Sequence, residues 1–304
     1  MVRYILIIVS FLFISCQSEC NCSELEENGG SYHKGAELYD GVCTESIYNT
    51  SKLIEFKSGK MDGRYMLWED GIKVLESSYK GGMRNGYTLS WYLNSNLSEK
   101  TYFIDNKKEY VKETFYESGN KHQLMTYKSD KLDGEYNEWF ENGQLKESIQ
   151  YINGLKHGVW VTWYEDGGIK EKGKYIRNLR VGTWNSWYSG GNKKSVGDYI
   201  NNMKQGKWVV WYDNKNEKES GNYKEGKKDG FWTTWYKDKQ RSSICEYKEG
   251  KKDGRFISFY SNGQKSEEGT YKMGLKDGKF IIWDKFKNKS VINYTTKEKY
   301  VPVF

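Results

Sequence analysis

The sequence predicts an all-β protein, an elongated twisted antiparallel meander of about ten β-hairpin repeats of 24 residues. Three observations carry that expectation. Aromatic residues make up 16% of a chain that is only 37% hydrophobic and 29% charged, with mean hydropathy −0.90, so Trp, Tyr and Phe stand where Leu and Val usually fill a core. Thirty-two glycines against one proline point to frequent glycine-dependent turns and exclude collagen-like or polyproline segments. Above all, glycine and aromatic residues recur with one period over most of the 304 residues.

Residues 1–15 read as a signal segment. Arg3 precedes the apolar run from Tyr4 to Ile14, which is too short to span a bilayer and fits the apolar region of a signal peptide. The ending Phe13-Ile14-Ser15-Cys16 resembles the lipobox of bacterial lipoproteins, with Phe13 where that motif usually has Leu. The resemblance implies cleavage before Cys16, lipidation of Cys16 and attachment to a membrane through acyl chains. The alternative is an ordinary secretory signal with an incidental cysteine. Residues 16–34 are polar and acidic without apolar period and read as a flexible tether. Cys20, Cys22, Cys43 and Cys245 are the remaining cysteines, and a bond from Cys20 or Cys22 to Cys43 would pin the tether to the first repeat.

Residues 35–290 form the repeat array. A glycine recurs at Gly63, Gly86, Gly134, Gly158, Gly182, Gly206, Gly230, Gly254 and Gly278, with Tyr110 in the place of a tenth. Five residues after each stands Trp68, Trp91, Phe115, Trp139, Trp163, Trp187, Trp211, Trp235, Phe259 or Trp283. Two residues after it, Trp160, Trp184, Trp208 and Trp232 supply the other four of the 12 tryptophans. Seven residues before it lies a Tyr or Phe, as in Tyr175, Tyr199 and Tyr223. In one copy, a strand ends near Lys224, a turn runs through Gly226 to Gly230, and a second strand rich in Trp, Thr and Tyr follows. A second turn, Glu141-Asn142-Gly143-Gln144 in one copy, leads to the next unit. Aromatics at offsets +2 and +5 lie on opposite faces of a regular strand, so either a bulge re-aims one or both faces carry aromatic rows. Residues 291–304 are expected to form a C-terminal cap.

The phrase running from Tyr151 to Gly167 resembles the MORN repeat (membrane occupation and recognition nexus), and more closely its bacterial variant. The resemblance covers roughly residues 35 to 290; Tyr110 for glycine and the irregular first copy depart from it. It implies a non-enzymatic, membrane-anchored protein-binding scaffold in the bacterial cell envelope, periplasmic or surface-facing. It also carries an alternative, an antitoxin or immunity-type protein that neutralises a cognate toxin.

The residues themselves point to no catalysis. His33, His122 and His157 fall in separate segments with no metalloprotease, hydrolase or zinc spacing, and His157 reads as a turn residue in the place of Asp133, Asp229 or Asp253. The Asp-Gly steps lack the carboxylate spacing of a calcium loop. No cofactor or metal is expected. The net charge of +7 is spread along the chain without a basic patch, which argues against nucleic acid. A monomer with an unknown protein partner is expected. The offset +6 row, with Tyr164, Tyr188, Tyr212 and Tyr236 as binding candidates, joins ring area to a polar tip suited to contact; the competing reading, that the tyrosines stack on one another and hold the sheet, is favoured because cross-strand aromatic pairs stabilise such a sheet.

Overall fold

The computed structural model describes residues 19–295. The apolar run before Cys16, Cys16 itself and residues 296–304 lie outside them. Nearly all described segments are strands, and among these residues no helix is long and apolar enough to cross a membrane. The chain divides into two compact units after Gly119.

In the first unit, strands from Gly41–Ile47 to Lys107–Phe115 pair each with the next in antiparallel order. The segment expected to be a flexible tether is folded from residue 19 onward. Glu19–Asn21 pairs in parallel with Val42, Cys43 and Thr44, and Glu26–Asn28, Ser31–Lys34 and Glu37–Leu38 make a separate small sheet. The cause is covalent and apolar together. A disulfide joins Cys22 to Cys43 with Cα atoms 4.9 Å apart, and Cys43 is buried with Tyr39 and Phe56 against Leu25 and Tyr32. Cys20 stays a free thiol.

The second unit is an antiparallel meander from Lys121–Lys128 to Lys289–Tyr294. The last strand starts before the expected cap boundary at 291, and it closes the final hairpin by pairing with Leu275–Trp283.

The hairpin turns are shorter than the glycine spacing suggests. In the copy at Gly230 the turn is only Glu225-Gly226, both at positive φ (51° and 80°), the two-residue form whose twist matches the flanking strands. Gly230 lies inside the second strand. There the register moves from Asn222↔Asp229 to Ser220↔Thr233, two steps on one strand and four on the other, so the glycine opens a bulge. All nine register glycines have φ between +65° and +120°, a region that costs a side chain steric strain. His157 is therefore not a turn residue but a strand residue opposite Gln150, and the turn of this copy is Asn153-Gly154. The Asp before the register glycine also has a use: Asp133 and Asp253 accept from the backbone N–H of Asn153 and Met273 in the following turn.

The second unit's core is a ladder of rings on one face. Tyr175, Trp184, Tyr199, Trp208, Tyr223 and Trp232 follow one another edge-to-face with centroids 5.0–5.8 Å apart. Offset +2 therefore alternates with the tyrosine at −7. The ladder lies on a smaller residue nine positions before each register glycine. At Gly173, Gly197, Gly221 and Gly269 a Cβ would fall into the ring of Trp184, Trp208, Trp232 or Phe280. A cation covers each rung: Arg180 and Lys204 lie 4.2 Å from the Trp184 and Trp208 rings, and Lys228 lies 3.8 Å from Trp232. Long basic stems and tyrosines thus bury tryptophans in a sheet with no second layer among the described residues. The +5 aromatics are half-buried, and regular pairing from Lys207 to Val210 puts Trp211 on the face opposite Trp208. Both faces carry aromatic rows, but only one is the core.

Candidate interaction surface

Along one edge of the second unit, consecutive two-residue turns repeat at Asn153-Gly154, Arg177-Asn178 and Asn201-Asn202. The residues flanking each turn are paired across it: Ile152 with Leu155, Ile176 with Leu179, Ile200 with Met203. These six aliphatic side chains are 38–55% exposed. Lysine pairs stand in the same places before and after them, Lys128 with Lys131, Lys224 with Lys227, and Lys248 with Lys251. Each turn is tied to the preceding repeat by a main-chain bond, from Asn178 N to Lys156 O at 3.0 Å and from Asn202 N to Arg180 O at 3.1 Å. Two strands per repeat set the pairs about 10 Å apart. The edge is thus a fixed row of three apolar pairs bracketed by cations.

Just inside this row lie the cations of the ladder, and their surroundings differ. Burial works against the charge of Lys156, but its bond to Glu147 at 3.0 Å holds its pKa above the usual lysine value. At the equivalent place beside Lys204 stands Ser195 instead of a carboxylate. Burial, with repulsion from Lys228 and Arg180, pulls Lys204 below the usual value despite the charge of Glu219.

The tyrosine candidates Tyr164, Tyr188, Tyr212 and Tyr236 fall in one row, in the same place of successive repeats. Each hydroxyl donates to the backbone carbonyl of the next repeat, to Trp187, Trp211, Trp235 and Phe259, at 2.7–2.9 Å. Tyr92 and Tyr260 do the same toward Phe115 and Trp283. Their polar tips clasp repeat to repeat, and Lys170, Lys194 and Lys218 lie over the rings of Tyr164, Tyr188 and Tyr212, so the row is engaged within the sheet at both tip and face. The aliphatic pairs lie outside the glycine and aromatic period that marks the repeat. Their signal was present as apolar residues at the two positions flanking the turn, repeated every 24 residues at 152, 176 and 200.

His122 approaches Glu138 at 3.7 Å, whereas His157 lies on a different strand. Among the described residues no three His, Cys, Asp or Glu side chains converge on a metal position.

Residues 132–153, 156–177 and 252–273 match the MORN repeat variant family. No curated protein matches the chain. The first match runs from the second strand of one hairpin to the two-residue turn of the next, so the family's unit is the structural unit here. The chain thus carries repeats of the MORN variant type, an array consistent with a protein-binding repeat scaffold.

Proposed function

We propose that the protein is a non-enzymatic binding scaffold held at a bacterial membrane by lipidated Cys16, and that it grips its protein partner along the aliphatic edge of the second unit. The observation that carries the reading is the row of Ile152, Leu155, Ile176, Leu179, Ile200 and Met203, exposed at constant spacing on a rigid edge. Lysines on both sides favour a partner whose apolar contact row is flanked by acidic residues. An envelope location draws support from the apolar run and the lipobox resemblance at Cys16.

Two variants test the two halves. Ile176→Ser with Ile200→Ser removes exposed contacts, so partner capture by cross-linking in intact cells falls at least tenfold while the melting temperature stays within about 2 °C. Capture that survives the double change rejects this edge. Cys16→Ser abolishes palmitate labelling and moves the protein out of the membrane pellet; label retained in that variant rejects the anchor.

A further inference from the structure

Tyr110 is the tenth member of the glycine register, and it adopts the register's backbone conformation, φ +60°. Tyrosine in that region carries a steric cost that glycine avoids. The glycines there also leave room: a Cβ at Gly63, Gly134 or Gly254 would meet the side chain eight residues earlier, Glu55, Thr126 or Glu246. At position 110 the room is filled by a ring, and the residue eight earlier is Tyr102.

The surroundings differ from the other copies in the same way. On this face Glu55 pairs with Arg64 at 2.6 Å and Thr183 with Asp198 at 2.6 Å. Here Tyr102 stands opposite Tyr87, their ring centroids 4.9 Å apart, and Tyr110 packs edge-on to Tyr102 at 5.4 Å. Tyr87 is 50% and Tyr110 61% exposed. With Lys100, Val111 and Glu113 the three rings line a hollow of about 370 Å³. Lys100 Nζ lies 4.8 Å from the Tyr87 ring.

We propose that this hollow in the first unit binds a saccharide. A pyranose has an apolar face of C–H groups that lies on tyrosine rings, and a rim of hydroxyls that both donate and accept. The ammonium of Lys100 donates and the carboxylate of Glu113 accepts, so the hollow offers both. Lys100 covers the face of Tyr87, so a methylated ammonium ligand is repelled there and the sugar's C–H face lies on Tyr110, the more exposed ring; a purely apolar ligand leaves the polar rim of the hollow unused. The site is independent of the aliphatic edge, which belongs to the other unit.

The test uses the full-length chain with chitotetraose and cellotetraose as probes, and a proline decamer as the competing class. Saturation-transfer NMR reads contact to the sugar ring protons. At least one sugar is expected to receive transfer, and Tyr110→Gly weakens that binding at least tenfold while the melting temperature stays within about 2 °C of wild type. Tyr87→Ser weakens it as well. Absence of transfer to both sugars overturns the proposal, as does transfer to the proline decamer alone. Sugar binding unchanged in Tyr110→Gly also overturns it, and so does a large loss of stability in that variant, because the ring then serves packing.

Discussion

Gly197→Ile is expected to destabilise the second unit by about 3 kcal/mol or more, and Gly173→Ile by roughly half as much. Both glycines lie directly under a tryptophan, so any side chain collides with Trp208 or Trp184. The structure already contains a copy with a side chain at this place, Ile149, and there the indole makes a different bond. Trp160 Nε1 donates to Glu147 Oε1 at 2.7 Å, whereas Trp208 and Trp232 donate to the backbone carbonyls of Asp198 and Asn222 at 3.2 and 3.0 Å. An isoleucine under the ring is therefore accommodated where a carboxylate stands two residues before it to receive the indole. Gly173 has Glu171 at that position. Gly197 has Ser195, whose hydroxyl is already bonded to Ser186 at 2.6 Å. The melting temperature should fall by about 6–12 °C for Gly197→Ile, on the usual 2–4 °C per kcal/mol for a unit of this size. Equal losses in the two variants would show that the carboxylate does not matter. No loss at Gly197 would show that the ring does not rest on the glycine.

The same glycines mark the limit of what the sequence made legible. The repeat, its period and its hairpins could be read because Gly230 and its equivalents recur with tryptophan at fixed offsets, and strands of this kind pair with their neighbours. The four glycines under the ladder were less visible. Gly173, Gly197, Gly221 and Gly269 have counterparts Ile149 and Cys245 in other copies, so the position does not read as a glycine position. Its requirement is for space beneath a ring, and that exists only once strands are paired. The register glycine was legible as a residue but misread as a turn, because a two-residue turn followed by a bulge and a single longer loop leave the same spacing. Residues 19–34 looked like a tether because their composition is polar; their order comes from Cys22 and Cys43, which are distant in sequence, and composition does not carry such a bond. The tyrosine row was visible, but not that each hydroxyl would be used by the next repeat.

Trp184→Ala tests whether the ladder also makes the second unit cooperative. Trp184 is 2% exposed and touches four partners of the ladder: Tyr175, Tyr199, Trp160 at 5.3 Å and Arg180 above its face. Removing the ring leaves a cavity that the sheet cannot collapse around, since Gly173 beneath it has no side chain to fill the space. A loss of about 3–5 kcal/mol is expected. Trp184→Phe should cost much less, because the indole N–H has no hydrogen-bond partner among the described residues and its removal gives up no bond. Phe280→Ala removes an equally buried ring, but near the end of the ladder, where Tyr271 and Tyr294 flank it and Lys276 lies over its face. In a repeat array each copy is stabilised by its neighbours, so a break in the middle separates two blocks while a break at the end frays one. Urea unfolding of Trp184→Ala should therefore show a lower midpoint and a shallower slope, and Phe280→Ala a lower midpoint with the slope nearly retained. If both variants keep the wild-type slope, cooperativity is carried by the main-chain ladder and the inter-repeat turn bonds, and the rings contribute stability alone.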